Sequence, residues 1–254
     1  MTPIKNYNVY QNGMKKSLDD KLFFLDLIDA VDTLVDFGCA DGQLLKRIHE
    51  ERPEWGLMGI DMDEKMIDQA QKNCPDAKYI NTKGIYKYPY YNNCSILNLS
   101  SVIHEIYSYC TMEEIHRFWD DLFNSNYKYI SIRDMALSEE AYRTSNYEDL
   151  INIHKKANKH MLNEFERINS NIKYNNSLIH FLMKYRYVQN WDREVRENYF
   201  PITVEQLLYN IDFNKYNVVY FEHYVLPFTK EKVKEDFGIE LKDATHFKLL
   251  LERK

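Results

Sequence analysis

The sequence predicts an α/β fold in which a mostly parallel sheet is covered by helices on both faces. Two observations support this prediction. Short apolar runs alternate with amphipathic segments over the first half of the chain, and most of these runs are apolar throughout, as in strands that are buried on both sides. The chain has 254 residues, 44% hydrophobic and 28% charged, so it is long enough for one α/β domain with a sizeable insertion.

The predicted elements follow one another in a regular order. A polar start leads into a helix that Ser17 caps and that extends to about Asp29. The strands predicted next cover residues 33–37, 57–60, 78–80, 94–99 and 127–132, and the helices among them cover residues 41–51, 64–72 and 112–123. Such an order is typical of parallel strands joined by crossover helices.

The alternation stops after the fifth strand. From about residue 137 to 200 only helical patterns are present, and the clearest apolar stripe consists of Leu150, Ile153, Ala157, Met161, Phe165 and Ile168. A short helix at 204–211 and two β-like runs at 217–226 and 246–251 follow. We therefore expect a single domain, 1–254, with an N-terminal helical segment (1–29), a core (30–136 and 201–254) and a helical cap insertion (137–200).

Composition and charge limit the classes of function. A net charge of −6 argues against a broad surface for nucleic acid, although a local basic cleft stays compatible with it. The sequence has no stretch of about 18 apolar residues and no apolar segment near its start, so neither a membrane span nor a secretory signal is expected. The four cysteines include no CxxC pair, which favours reduced thiols and a cytoplasmic location over a zinc or disulfide framework.

The most informative segment is VDFGCADG, residues 35–42, at a predicted strand-to-helix turn. Gly38 allows the backbone to turn sharply beside a ligand, and Gly42 does the same where the next helix begins with unpaired N–H groups. Asp61 ends the second strand about 20 residues later, where a carboxylate can accept hydrogen bonds from both ribose hydroxyls of an adenosine ligand. A plain turn, in which the glycines only relieve backbone strain, is the structural alternative.

The same segment argues against a dinucleotide. The dinucleotide fingerprint GxGxxG has a central glycine against the pyrophosphate, and Ala40 occupies that position here. Asp36 adds a negative charge that repels a diphosphate but suits a ligand with an ammonium group. S-adenosylmethionine, which joins an adenosine to an amino acid and has no phosphate, fits these residues.

These motifs resemble those of a known enzyme family. VDFGCADG resembles the first motif of the class I S-adenosylmethionine-dependent methyltransferases, and GIDMD, residues 59–63, resembles the acidic motif of their second strand. The resemblance covers roughly residues 30–135 and 201–254. It implies a three-layer Rossmann-like fold with a seven-stranded, mostly parallel sheet whose last strand is antiparallel, and S-adenosylmethionine as the cofactor.

The resemblance also implies roles for individual residues. The turn from Asp36 through Gly38 to Ala40 would surround the methionine part of the cofactor, Asp61 would bind the ribose and Met62 would flank the adenine. The family often has an acidic residue after the third strand, whereas this chain has Asn81 and Thr82, either of which could hydrogen-bond the adenine. The expected cofactor-binding residues are Asp36, Gly38, Cys39, Ala40, Gly42, Asp61, Met62, Asn81, Thr82, Leu99 and Ser100.

The fourth strand leads into NLSSVIHEIY, residues 98–107, at the carboxyl edge of the sheet, where ligands bind in α/β folds. The [DN]PP[YFW] motif of many amino-group methyltransferases is absent, which argues against N-methylation of adenine or cytosine. His104 is the candidate general base, because imidazole is ordinarily neutral near pH 7, and Glu105 could orient it or bind substrate. The structural alternative is that His104 starts a helix and Glu105 forms a salt bridge.

A metal site is the other interpretation of this region. His104, Glu105, Glu113, Glu114 and His116 lie close together in the sequence, and terminal-ribose RNA methyltransferases use His/Glu metal sites in a comparable region. The last three fall on an amphipathic helix, where charged side chains usually face solvent. No metal is therefore predicted.

The methyl acceptor is the least determined part of the prediction. Side chains that could stack on a planar or sugar-like acceptor are Tyr107 in the core and Tyr187, Trp191 and Arg193 at the end of the insertion. Packing within the cap is their alternative role. Near the start, Lys15 or Lys21 could meet the carboxylate of the cofactor if the segment from residue 10 to 21 folds over it.

We favour a small-molecule acceptor that is methylated on oxygen or nitrogen. An RNA methyltransferase acting on tRNA or an RNA end is the first alternative, and a noncatalytic regulator that binds the cofactor is the second. Net acidity counts against the RNA alternative, and the aromatic and arginine-rich end of the insertion supports it. The sequence leaves the oligomeric state open.

Overall fold

A computed structural model of the chain describes residues 18–82 and 94–254. The strands are β1 (Thr33–Phe37), β2 (Gly56–Asp61), β3 (Lys78–Asn81), β4 (Ser95–Ser100), β5 (Tyr129–Met135), β6 (Tyr216–Tyr224) and β7 (His246–Arg253). They form one seven-stranded sheet in the order β3-β2-β1-β4-β5-β7-β6. None of the described helices is long and apolar enough to cross a membrane.

The α-helices connect and flank these strands. They are α1 (Leu18–Lys21), α2 (Gln43–Glu51), α3 (Glu64–Asn73), α4 (Ile103–Tyr109), α5 (Met112–Asn124), α6 (Tyr147–Lys156), α7 (Lys159–Ile168), α8 (Asn175–Tyr185), α9 (Trp191–Glu194), α10 (Val204–Tyr209) and α11 (Pro227–Phe237). Side-chain caps start several of them: Asp63 caps α3, and Thr111 forms a reciprocal capping box with Glu114 at the start of α5.

The strand directions confirm the predicted fold class. β1 pairs parallel with β2 and β4, β2 pairs parallel with β3, and β4 pairs parallel with β5. β7 runs antiparallel to β5, because the N–H of Ala136 donates to Thr245 and the N–H of Arg253 donates to Lys128, so the two chains progress in opposite directions. The predicted mostly parallel, seven-stranded sheet with an antiparallel last strand is confirmed.

The N-terminal helix is shorter than predicted. The sequence pattern extended it to about Asp29, but α1 ends at Lys21. Beyond it the chain continues in tight turns closed by bonds such as Leu25 N–H to the carbonyl of Leu22. These turns bury Leu22, Phe24 and Leu25, so packing into the core replaces the single apolar stripe that a longer helix would present.

The described residues form two compact units. We call the first, which contains residues 18–82, 94–134, 210–222 and 248–254, the sheet unit, and the second, which contains residues 135–209 and 223–247, the helical unit. The sheet unit has a core around Phe24, Leu34, Leu45, Ile48 and Ile96. The helical unit has a core of its own that includes Ile153, Phe165, Phe181, Leu182 and Phe237. The predicted role of residues 137–200 as a cap stays a prediction.

The start of α2 depends on a glycine. Gly42 precedes the helix in a left-handed conformation with φ +74°, and a Cβ there would lie 2.9 Å from the Cβ and 3.0 Å from the Cα of Ala70. The left-handed backbone costs an L-residue roughly 1–2 kcal/mol, and the overlap with Ala70 adds to that cost.

Replacing Gly42 by alanine should therefore lower the free energy of unfolding by about 1–3 kcal/mol. Urea denaturation followed by circular dichroism measures this change. Gly56→Ala is the matched control, because Gly56 has no positive φ and a Cβ there would find its nearest neighbour at 3.5 Å. Equal stability of the two variants would contradict the steric argument.

Candidate cofactor site and His104–Asp134 pair

The turn after β1 is fastened to the end of β2. Gly38 adopts a left-handed conformation with φ +78°, and its N–H and that of Cys39 both donate to the carbonyl of Ile60, over 2.8 and 2.9 Å. A Cβ on Gly38 would lie 2.9 Å from Cγ2 of Val102. The glycine thus permits both the turn and the close approach of the chain that follows β4.

Asp61 is held by backbone N–H groups from two sides. Its Oδ2 accepts from the N–H of Ala40 at 2.9 Å, and its Oδ1 accepts from the N–H of Asp63 at 2.9 Å. Burial raises the pKa of this carboxyl, and these backbone donors counteract the rise. Each carboxylate oxygen has a second lone pair, so Asp61 can still accept two hydroxyl donors.

The other predicted residues of this edge lie around Asp61. The side-chain amide of Asn81 and the N–H of Thr82 donate to the Asp61 carbonyl, at 3.2 and 3.1 Å. Met62, directly after β2, is 55% exposed. The thiol of Cys39 is buried and donates to the carbonyl of Ala40 at 3.8 Å, and burial raises its pKa. The described residues predicted for the site therefore lie along one edge of the sheet unit, and their contact with a cofactor stays a prediction.

Asp36 lies in a row of buried polar side chains that crosses three strands. It stands beside Asn98 of β4, which in turn stands beside Ser131 of β5. Oδ1 of Asp36 accepts from the amide of Asn98 at 2.8 Å. Burial raises the pKa of Asp36 to about 6, and the hydrogen bond from Asn98 and the charge of Lys21 limit the rise.

Several buried oxygen atoms near this row have no hydrogen-bond partner within the part of the chain that the structure describes. They are Oδ1 of Asn98, Oγ of Ser131 and Oγ of Ser100, which lies two residues after Asn98 on the same face of β4. Buried polar atoms are normally hydrogen-bonded, so an unpaired group of this kind indicates a place where a polar ligand or water binds. Leu99, between Asn98 and Ser100, is buried and apolar and points to the other face.

Helix α1 places a lysine, Lys21, near several buried aspartates of the sheet unit. Asp20 forms ion pairs with Arg133 at 2.7 Å and with Lys248 at 2.8 Å, and so anchors α1 to β5 and β7. Lys21 interacts electrostatically with Asp36, Asp41 and Asp134, while burial and the charge of Arg133 lower its pKa to about 8. The positive charge of Lys21 therefore offsets part of the negative charge of several carboxylates of the protein. Lys15, the other lysine considered for this role, lies outside the described residues.

His104 is held by Asp134, the carboxylate at the end of β5. Nδ1 of His104 lies 2.6 Å from Oδ1 of Asp134, and both side chains are buried. The other oxygen, Oδ2, accepts from the N–H groups of Ile103 and His104 at the start of α4. A carboxylate accepts only, so Nδ1 carries the proton and the basic nitrogen of the neutral ring is Nε2.

Asp134 therefore takes the orienting role that was considered for Glu105. Adjacent residues on a helix do not face each other, and a role of Glu105 in binding substrate stays a prediction. The sequence carried a signal for Asp134 that was not used: like Asp61, it is an aspartate at the carboxyl end of a buried parallel strand.

The acidic residues considered for a metal have other partners. Glu114 accepts from Thr111 in the capping box, and Glu113 binds Arg117 at 2.8 Å. Within the described residues no group of three or more His, Cys, Asp or Glu side chains is arranged to hold a metal ion.

The residues predicted to contact the methyl acceptor form hydrogen bonds within the protein. In the sheet unit, the hydroxyl of Tyr107 accepts from Nε1 of Trp119 at 2.9 Å. In the helical unit, Nε1 of Trp191 donates to Glu164 at 2.8 Å, Nε of Arg193 donates to Glu197 at 2.5 Å, and the hydroxyl of Tyr187 accepts from Arg186 at 3.1 Å. Trp191 and Arg193 are also buried. Their contact with the methyl acceptor stays a prediction. The geometry does not favour that role over packing within the protein.

Comparison with known proteins agrees with this architecture. No family model matches the chain, and no curated protein matches it in sequence. Among solved structures, the plantazolicin methyltransferase BpumL, in complex with SAH and a triazolic desmethylPZN analog, is 12% identical with a TM-score of 0.56, covering 98% of this chain and 90% of its own. The chain has the class I methyltransferase fold.

Two further solved structures share this fold. The MccD protein is 11% identical with a TM-score of 0.52, over 96% of this chain and 98% of its own. The [4+2]-cyclase SpnF is 11% identical with a TM-score of 0.53, over 93% of this chain and 80% of its own. Since one neighbour is a methyltransferase and another a cyclase, the shared fold alone does not determine the reaction, and the site residues must do so.

The buried carboxylate of Asp36 predicts a specific pH dependence of stability. A folded-state pKa of about 6, above the ordinary 3.8, means that the folded protein binds this proton more tightly than the unfolded chain. The stabilisation is complete below the unfolded pKa and is lost as the pH rises through about 6. Asp36→Asn should therefore be more stable than wild type by roughly 1–3 kcal/mol at pH 8, with a much smaller difference near pH 4.

Urea denaturation at a series of pH values measures this difference. Asp68→Asn, at an exposed position on α3, is the control and should follow the wild-type profile. A pH-independent difference between Asp36→Asn and wild type would show that the charge of Asp36 is not responsible.

Proposed function

We propose that this chain binds S-adenosylmethionine and transfers its methyl group to a small-molecule oxygen or nitrogen acceptor. The observation that carries the proposal is the position of Asp61. Backbone donors of Ala40 and Asp63 fix its carboxylate at the carboxyl end of β2, beside the glycine turn after β1. A carboxylate at this place in the fold, with lone pairs to spare, fits the two hydroxyls of a ribose.

The polar row next to the turn fits the amino acid part of the same ligand. Asp36 is a buried carboxylate, which supports an ammonium group and opposes a phosphate. The unpaired oxygens of Asn98 and Ser100 can accept further N–H donors at that end. Gly38, with φ +78°, permits the sharp turn that ends this edge of the sheet beside Asp61. Together these residues match a ligand that has an adenosine at one end and an amino acid at the other.

His104 acts as the general base that takes a proton from the molecule being methylated. The cofactor, when bound, supplies a methyl group already activated by a sulfonium. Asp134 fixes the imidazole tautomer, so that Nε2 can take the proton from a hydroxyl or a protonated nitrogen as it is methylated. The same carboxylate stabilises the imidazolium that results, much as it orients the neutral ring.

The charge of the chain supports a small acceptor over RNA. The net charge of −6 gives no general attraction for a polyphosphate. Trp191 and Arg193, which supported the RNA alternative in the sequence, are buried in the helical unit. BpumL, the neighbour described above, was solved with a triazolic desmethylPZN analog.

Removal of the Asp61 side chain tests the cofactor site. Asp61→Ala should weaken binding of S-adenosylhomocysteine at least tenfold, because two hydrogen bonds to a charged group are lost, each worth roughly 1.5–3 kcal/mol. Isothermal titration calorimetry measures the affinity, and Asp68→Ala on the exposed face of α3 serves as the control. Unchanged affinity, or absence of binding to the wild-type protein, would contradict the proposal.

Replacement of the base tests the chemistry separately from binding. His104→Gln should reduce methyl transfer by about 10²–10⁴-fold and leave cofactor affinity within a few-fold of wild type. The assay follows radiolabelled methyl groups from S-adenosylmethionine into cell extract fractionated into small metabolites, RNA and protein. Asp68→Asn, at an exposed position on α3, is the control and should retain activity.

The same assay separates the alternatives. Label in the small-metabolite fraction supports the proposal, whereas label in the RNA fraction assigns the chain to the RNA methyltransferases. Cofactor binding without label in any fraction would indicate a noncatalytic binding protein.

A further inference from the structure

The last residue of helix α1, Lys21, is a cation near the candidate cofactor site that has no bonded partner. The residue is half-buried. Three aspartates, Asp36, Asp41 and Asp134, interact electrostatically with its ammonium. Even so, the ammonium forms no hydrogen bond and no ion pair with any residue that the structure describes. A charge that is partly withdrawn from water is costly unless it is paired, so the unused donors of Lys21 indicate a place for an anionic group.

The backbone is fixed on both sides of Lys21. Before it, Asp20 forms ion pairs with Arg133 at 2.7 Å and with Lys248 at 2.8 Å, and the side chains of both partners are largely buried. After it, Leu22 is buried in the core of the sheet unit. The position of the lysine therefore depends on these anchors and not on a contact between its own ammonium and a carboxylate.

Asp36 on β1 carries the opposite charge. Its carboxylate is buried and accepts from the amide of Asn98 at 2.8 Å, while Lys21 acts on it only through its charge. An ammonium and a carboxylate that attract each other without forming an ion pair are separated by more than about 4 Å. An amino acid zwitterion suits such a gap, because its ammonium can meet Asp36 while its carboxylate meets Lys21.

The surrounding charges favour a zwitterion over a simple anion. Besides the three aspartates, one further cation, Arg133, acts on Lys21. A phosphate would add only negative charge to this group, next to carboxylates that repel it. An amino acid adds one charge of each sign and leaves the local balance unchanged.

We propose that Lys21 binds the carboxylate at the amino acid end of the cofactor and so makes the site select adenosyl amino acids over adenosine ligands that lack a carboxylate. This inference rests on the proposed cofactor site and extends it, since the ribose contact proposed for Asp61 is the same for both kinds of ligand. Asp20 is then a positioning residue, because its ion pairs hold α1 and with it the lysine that follows.

Calorimetry with two ligands measures the contribution of the carboxylate. The ligands are S-adenosylhomocysteine and its decarboxylated form, which keeps the amine. Wild type should bind S-adenosylhomocysteine at least about tenfold more tightly, because a hydrogen bond to a charged group is missing from the other complex. Lys21→Met keeps the apolar stem of the side chain and should lose most of this preference, with the affinity for the decarboxylated ligand nearly unchanged. Lys72→Met, at an exposed position on α3, is the matched control and should keep the preference.

The titration of Lys21 gives the same contact a pH signature. Burial and the charge of Arg133 lower the pKa of this lysine to about 8. Asp36, Asp41 and Asp134 act in the opposite direction. Between about pH 7 and pH 9 the wild-type affinity for S-adenosylhomocysteine should therefore fall by about tenfold relative to Lys21→Arg, whose guanidinium stays charged. Titration of the ligand's own amine affects both proteins alike.

Replacement of Asp20 tests the positioning role. Asp20→Asn keeps the shape of the side chain but removes its ion pairs, so it should weaken binding of S-adenosylhomocysteine and leave the decarboxylated ligand unaffected. In the Lys21→Met background the same change should have no further effect, because the lysine that Asp20 positions is absent. A merely structural role would weaken both ligands in both backgrounds. Circular dichroism confirms that the variants fold.

The outcomes separate this inference from the proposed function. A carboxylate preference in wild type that Lys21→Met removes and Lys72→Met keeps supports it. Equal binding of the two ligands by wild type, or a preference that survives Lys21→Met, would overturn it and leave the proposed cofactor site standing. Failure of wild type to bind S-adenosylhomocysteine at all would overturn both.

Discussion

The short connection between the ends of β1 and β2 is the interaction on which the candidate site depends. Gly38 and Cys39 donate to the carbonyl of Ile60, and Ala40 donates to the carboxylate of Asp61. These three bonds fix the turn and the acidic side chain relative to each other before any ligand arrives. A preorganised acceptor of this kind loses little entropy on binding, so these backbone bonds favour the ribose contact proposed for Asp61.

Buried charge is the second constraint, and it links the site to the N-terminal helix. Asp36, Asp41 and Asp134 are all buried within the sheet unit, an arrangement that is costly without nearby positive charge. Lys21 supplies that charge, and the ion pairs of Asp20 keep α1 in place. The stability predicted for Asp36→Asn follows from the same reasoning, because the hydrogen bond from Asn98 and the charge of Lys21 offset only part of the cost of burying this carboxylate.

Two aspartates at the ends of strands differ in their hydrogen-bond partners. Asp61 and Asp134 both lie at the ends of buried parallel strands. Asp61 accepts from the backbone N–H groups of Ala40 and Asp63, whereas Asp134 accepts at the start of α4 with one oxygen and from the ring of His104 with the other. The environment of each side chain, and not its residue type, therefore decides which of the two proposed roles it fits: a contact for ligand hydroxyls or a partner for a base.

The sequence by itself determined the order of the strands, the turn from Asp36 to Gly42 and the place of Asp61, because apolar periodicity and glycine positions are local properties of the chain. Helices α4 (Ile103–Tyr109) and α11 (Pro227–Phe237) were not predicted. The sequence could not determine that Asp134 holds His104, that Asn98 meets Asp36, or that Trp191 and Arg193 are buried, because those contacts join residues that are far apart in the sequence or depend on how helices pack. Only the tertiary structure decided them, since side-chain partners are selected by the strand register and by the exclusion of water from the core.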